Sequence, residues 1–339
     1  MEDFEANPTN ILKDEMSIFR YIKSMPFDES FTVWKDITLG EGLTPIVPLS
    51  PDNPNILVKV DYMMPTLSFK DRGAAVLIAK AKEIGVKKVV QDSSGNAGTS
   101  IAAYASRAGI ECTIFLPEDT SPNKVKQIAS YGARVVKVKG NREDTAKACL
   151  EAAQEKGVFY ASHVYNPFFY QGTKTYVYEI YEQLKGNMPE ALVIPVGNGT
   201  LVLGAYYGLK DLLKSGLISK MPRIIALQSE KCAPIYKAFK EGKTDVVKVE
   251  NPGTLAEGIA IASPKRGNQI LEAVRDTGGE IITAPEDKIL STKDYLAKLG
   301  LYVEPTTAAT FAGYFEYIKD KPMEGKVVIP LCGSGLKSL

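Results

Sequence analysis

Histidine is almost absent. His163 is the only one among 339 residues, which excludes a multi-histidine metal site. Cysteine is scarce as well. Cys112, Cys149, Cys232 and Cys332 stand far apart with no CxxC pair, so zinc ribbons, thioredoxin-type redox motifs and a dense disulfide framework are not expected. An excess of one charge is missing: 41 Lys and Arg face 40 Asp and Glu, a net charge of +1, which gives no footprint for nucleic acid or an anionic membrane. No apolar run reaches the roughly 18 residues of a membrane helix. The acidic start, Met1 to Glu5, is not followed by the apolar stretch of a signal peptide. The expectation is a cytosolic protein with no metal, nucleic-acid or membrane partner.

What is present is ordinary globular composition, 45% hydrophobic and 24% charged. At about 150 residues per domain the length suits two domains. Short β-branched runs recur at Ile56–Val60, Lys88–Asp92, Glu111–Leu116, Ala133–Val138, Val158–Ala161, Ala191–Val196, Arg223–Gln228, Glu280–Thr283 and Lys326–Leu331. Apolar residues at helical spacing lie between them, as in Ala74, Leu77, Ile78, Ala81 and Ile84, and Gly85, Gly109, Gly132 and Gly157 follow four such stretches as C-terminal caps do. This alternation predicts an α/β protein with mostly parallel sheets and ligands at the strand C-termini. The first fifty residues carry aromatics and prolines but no strand–helix unit. No linker marks a boundary, so we place the domains at 51–159 and at 1–50 plus 160–339.

Four segments sit where such a fold gathers chemistry. Ser68-Phe69-Lys70-Asp71-Arg72-Gly73 follows a strand and opens a helix. The helix dipole there disfavours the ammonium form of Lys70, and a neutral amine is what a carbonyl partner requires. Ser93-Ser94-Gly95-Asn96-Ala97-Gly98 lets backbone N–H groups approach an anion at a helix start, while Asn96 equally suits a helix cap. Gly197-Asn198-Gly199-Thr200 has the make-up of a phosphate cradle without P-loop or G-x-G-x-x-G spacing. Cys332-Gly333-Ser334-Gly335 follows the last strand, where Cys332 suits either a small core position or the edge of a cofactor. His163 reads as structural. Phe168, Phe169 and Tyr170 suit core or pocket wall equally.

In this order the segments resemble fold-type-II pyridoxal-phosphate enzymes, and the threonine synthase family most of all. Leu39-Gly40-Glu41-Gly42-Leu43-Thr44-Pro45 resembles that family's LGEGxTPL segment, with Phe19-Arg20-Tyr21 and Met25-Pro26 resembling the preceding arm. Ser68–Gly73 matches the cofactor-lysine motif, Glu304-Pro305-Thr306-Thr307-Ala308-Ala309 resembles EPxSAA, and Cys332–Lys337 resembles TGxGLK. The likeness spans residues 16–337. It implies a fold like the tryptophan synthase β-subunit, with two domains of twisted, mostly parallel sheets flanked by helices. Lys70 would lie in the smaller domain and the cofactor's phosphate loop in the larger. It implies a homodimer with pyridoxal 5′-phosphate as cofactor and a small amino acid as substrate. Lys70 would hold the cofactor and later move protons. Asn96 would bond the ring oxygen, and Gly197, Asn198, Gly199 and Thr200 would cradle the phosphate. Ser93, Ser94 and Gly95 would face the substrate carboxylate, and Cys332 would stand near the pyridine nitrogen.

A neutral partner at that nitrogen suits elimination and replacement more than transamination. Two positions depart from the family. Ala97 stands where Thr is usual, and Phe169 where the alignment expects an Arg that binds the substrate phosphate. An apolar pocket there loses a charge-assisted clamp. The resemblance itself implies a threonine synthase reaction on O-phosphohomoserine. Its rivals are an ammonia-lyase on threonine or serine, a β-replacement on an activated serine, and a binding protein without turnover.

Overall fold

The computed structural model describes residues 5–93, 95–120, 122–140 and 142–338. All nine expected strands form, each within one residue of the expected limits at either end. We number the strands β1 (Ile46–Pro48), β2 (Ile56–Lys59), β3 (Lys88–Gln91), β4 (Glu111–Pro117), β5 (Arg134–Val138), β6 (Val158–Tyr160), β7 (Ala191–Pro195), β8 (Arg223–Ser229), β9 (Glu280–Ala284) and β10 (Val327–Pro330). The addition is β1, a three-residue strand antiparallel to β2.

The chain packs as two compact units, Met1–Leu43 with Met64–Thr173, and Thr44–Met63 with Lys174–Leu339. These limits differ from the expected division at 50 and 160, for two physical reasons. First, β2 pairs in parallel with β10, which draws Thr44–Met63 into the second unit. Second, the N-terminal arm fastens to helices of the first unit. The Asp28 N–H donates to Glu83 at 2.8 Å, Lys80 Nζ to the Pro26 carbonyl at 2.8 Å and the Tyr104 hydroxyl to Glu41 at 2.9 Å.

The first unit holds a wholly parallel four-stranded sheet in the order β5-β4-β3-β6. Its helices include Lys70–Glu83, Asn96–Arg107, Arg142–Ala152 and Pro167–Thr173. The helix Lys70–Glu83 buries nearly every residue of its first three turns, because small Ala and Gly let neighbouring helices close in. Gly85 and Gly109 end their helices at φ +80° and +64°, the left-handed caps that the sequence predicts.

The second unit holds a six-stranded sheet in the order β1-β2-β10-β7-β8-β9, parallel except for β1. Its strands are apolar over most of their length, as sheets covered on both faces require. Phe311, Tyr314, Val327 and Ile329 belong to its core. A polar knot lies inside this unit. Lys59 Nζ sits 2.6 Å from the Glu179 carboxylate and 2.6 Å from both the Thr44 carbonyl and hydroxyl, while the Thr44 hydroxyl donates to Asp61 at 2.6 Å. Lys59, Glu179 and Asp61 are fully buried.

Candidate active site

In the first unit, Lys70 is the first residue of its helix. The approach is built by a clamp. Leu67 takes φ +64°, and Thr66 bonds Asp71 through its N–H at 2.7 Å and its hydroxyl at 2.5 Å, with Ser100 Oγ 2.9 Å from the same hydroxyl. The turn is thus fixed by buried side chains at 66, 71 and 100. Lys70 Nζ lies 4.3 Å from the centre of the Phe69 ring. Ser68 Oγ, fully buried two residues away, has no hydrogen-bond partner among the described residues.

Ser93 and Gly95 follow β3, while Ser94 lies outside the described residues. Gly95, not Asn96, is the N-cap, so Asn96 begins the helix instead of capping it. A Cβ at Gly98 would collide with the Ser93 carbonyl, whereas one at Gly95 would meet only Ser93 Oγ, at 4.0 Å. The loop is therefore packed hard beneath Gly98 and open above Gly95. Ala97 is buried.

In the second unit, β7 and β10 are neighbours, so the loops that follow them leave the same edge of the sheet. After β7, Gly199 takes φ +84° as N-cap of the helix Thr200–Lys214. A left-handed residue at a helix start is a setting in which backbone N–H groups suit an anion. Gly197 has no room for a side chain, since a Cβ would lie 2.9 Å from Ile261. After β10, the buried Cys332 donates its backbone N–H to Thr307 Oγ1 at 3.2 Å. Thr307 belongs to the helix Pro305–Asp320, whose N-cap is Glu304. None of the four cysteines is in a disulfide, and all are buried.

Lys70, Ser93, Gly95, Asn96 and Phe169 thus belong to the first unit, and Gly197, Asn198, Gly199, Thr200 and Cys332 to the second. Each set by itself suits one part of pyridoxal phosphate chemically. They offer an amine at a helix start, an anion nest at another and a hydroxyl at Ser68 that lacks a partner. Phe169 is fully buried, its ring covering Gly73 and meeting the edge of His163 at 6.0 Å. An arginine there would have to bury its guanidinium. The surroundings of His163 went unread in the sequence: burial first, then the charges of Lys70 and Arg142, hold its imidazole well below the usual range. A lone histidine directly after a strand end was the available signal. Among the described residues no group of three or more His, Cys, Asp or Glu suits a metal, and no helix is long and apolar enough to cross a membrane.

The chain belongs to a known class: residues 37–333 match the family described as pyridoxal-phosphate dependent enzyme. It is a fold-type-II, pyridoxal-phosphate-dependent lyase. The chain is 33% identical over 343 residues to the threonine synthase of Methanocaldococcus jannaschii, covering 98% of this chain and 84% of that protein. It is 34% identical to the threonine synthase of Bacillus sp. (strain ULM1), covering 94% and 89%. Among solved structures, the threonine deaminase of T.th. superposes with a TM-score of 0.70 at 25% identity, over 82% of this chain and 87% of that one.

Proposed function

We propose that the protein is a threonine synthase, converting O-phosphohomoserine and water to threonine and phosphate. The observation that carries this is the likeness to relatives of that name along nearly the whole chain. Pyridoxal phosphate, when bound, supplies the electron sink that makes protons next to the amino group labile. The remaining work falls to the chain. The amine of Lys70 holds the cofactor, takes the proton from Cα and returns protons farther along the substrate. Asn96 steadies the ring oxygen. The N–H groups at 197–200 bind the cofactor phosphate without needing a cation. Ser93, Ser94 and Gly95 receive the substrate carboxylate, and Cys332 presents a neutral group to the ring nitrogen. In the net reaction the Cγ–O bond to phosphate breaks, and water adds at Cβ. The protein works as a cytosolic homodimer, and sedimentation velocity tests the dimer.

A second reading is an ammonia-lyase acting on threonine or serine. Ala97 and Phe169, both buried and apolar, favour it because they offer no bond to a substrate phosphate. One experiment separates the readings. The holoenzyme is mixed in turn with O-phosphohomoserine, threonine, serine and O-acetylserine, and phosphate, ammonia and keto acid are scored together. Phosphate with threonine supports the synthase. Ammonia with keto acid from threonine or serine overturns it in favour of the lyase. Silence across the set leaves a binding protein.

A further inference from the structure

Three buried polar side chains beside Lys70 hold one another. Thr66, Asp71 and Ser100 are each 1% exposed or less. The Asp71 carboxylate accepts the Thr66 N–H at 2.7 Å and the Thr66 hydroxyl at 2.5 Å. A hydroxyl has one proton to give. With that proton given to Asp71, the Ser100 hydroxyl is the donor across the 2.9 Å to Thr66 Oγ1. The bonds therefore run in one direction, from Ser100 through Thr66 to Asp71.

Their course through the first unit gives them a use. Asp71 is the second residue of the helix Lys70–Glu83 and follows Lys70 directly. Ser100 is the fifth residue of the helix Asn96–Arg107, one turn along from Asn96. The two helices pack together within that unit. The bond between Thr66 and Ser100 ties them near their starts. The bonds between Thr66 and Asp71 enclose Leu67, Ser68, Phe69 and Lys70. Inside this loop Leu67 stands at φ +64°, its N–H donating to the Met64 carbonyl at 2.8 Å. A leucine resists that region of backbone, so the turn persists only because its surroundings hold it.

Pyridoxal phosphate makes a demand that one helix start alone does not meet. Its aldehyde carbon and its ring oxygen are attached to neighbouring ring carbons. The amine that takes the first and the amide that bonds the second must keep a fixed separation. Lys70 and Asn96, to which these tasks fall, begin two different helices.

We propose that Ser100, Thr66 and Asp71 are positioning residues that keep the two helix starts in register, so that the Lys70 amine and the Asn96 amide meet adjacent atoms of one cofactor ring. This rests on Lys70 and Asn96 holding pyridoxal phosphate, as proposed above, and not on which amino acid is turned over.

Three variants of the holoenzyme test it. Ser100→Ala removes only the bond between the helices. Thr66→Val removes both hydroxyl bonds with little change of shape, and Thr66→Ser keeps them. Circular dichroism in the cofactor's visible band reports how firmly the ring is held, and the far-ultraviolet signal reports the fold. Ser100→Ala should lose most of the visible signal and about tenfold in kcat, with KM little changed and the far-ultraviolet signal of the parent. Thr66→Val should lose about a hundredfold in kcat, and Thr66→Ser should restore most of it. A Ser100→Ala enzyme with the parent's visible signal and kcat overturns the proposal. So does one whose two signals fall in step, since Ser100 then serves the fold alone, or a Thr66→Ser enzyme no better than Thr66→Val. Should Thr66→Val fail to fold, Ser100→Ala decides by itself. A borohydride adduct on a lysine other than Lys70 ends both this inference and the site reading. An adduct on Lys70 with an unchanged Ser100→Ala spectrum ends this inference alone. Ammonia from threonine with the expected loss of visible signal sinks the synthase reading alone.

Discussion

The two units present different kinds of chemical group. In the four-stranded unit these are side chains: Lys70 at a helix start beside the Thr66–Asp71 clamp, Ser68 buried without a partner among the described residues, and Gln91, at the end of β3, in contact with His163 beyond the end of β6. In the six-stranded unit, the corresponding edge offers backbone, with Gly199 in the left-handed region and a helix start behind it. Backbone N–H groups bind any phosphate alike, whereas placed side chains distinguish one substrate from another. Changes in the first unit should therefore alter which reaction runs and how fast. Changes in the second should alter how well the cofactor is kept and how firmly the unit is folded.

The sharpest test is Lys70→Ala. Turnover should fall by about a thousandfold or more, while the circular dichroism and thermal midpoint stay near those of the parent. Borohydride reduction of the parent followed by peptide mapping should place the cofactor adduct on Lys70. An adduct on another lysine breaks the comparison at its root.

The next effect lies in the second unit. Glu179→Gln leaves the Lys59 ammonium buried without its anion, which should cost about 3–5 kcal/mol in urea unfolding. Lys59→Met with Glu179→Leu should recover most of that loss. Turnover per folded molecule should hold in both, since this knot serves stability.

Glu41, in the first unit, gives a pH signature. Burial pushes its carboxyl up to about 7, opposed by bonds from the Leu39 N–H, Tyr104 and Thr38. A raised folded-state value means that the native protein holds a proton which the unfolded chain has already released. Native stability from this group is complete below the unfolded value and is lost as pH rises from about 4.5 to about 7, by roughly 3 kcal/mol. Glu41→Gln should therefore gain on the parent in urea midpoint between pH 5 and 8. A gap that stays constant shows that Glu41 ionises without cost.

The smallest expected effect is Gly199→Ala. The left-handed backbone costs a Cβ about 1–2 kcal/mol, and the new methyl would lie 2.6 Å from Ile270. Cofactor retained after gel filtration should fall, with kcat of the loaded fraction little changed. A drop in kcat with normal retention would mean that the second unit also shapes the chemistry.

Much of this arrangement was legible beforehand. The parallel strands announced themselves because each is an apolar run bounded by helical spacing, as at Ala191–Pro195. The helix starts at Lys70 and Thr200 were legible because a helix start needs only its own neighbours in sequence. β1 was not legible, since three residues with Val47 exposed and Pro48 at the end carry no alternation. The unit boundaries were hidden because β2 owes its place to β10, at the other end of the chain. The setting of His163 was hidden for the same reason, being assembled from Gln91, Phe169, Lys70 and Arg142.

The pairing of β2 with β10 also bears on the order in which a growing chain can settle. The ribosome delivers β2 early and β10 last of the ten strands, so the Ile56–Val60 stretch waits through most of synthesis with an open edge. Such an edge invites pairing with other nascent chains. Lys59 is the last residue of β2, and its partner Glu179 is made only 120 residues later. A charge at such an edge opposes pairing with other chains, which gives Lys59 an expected use before it becomes a buried ion pair. Stalled chains that end before β10 should clump more readily with Met at position 59 than with Lys, as sedimentation of ribosome-released fragments can measure.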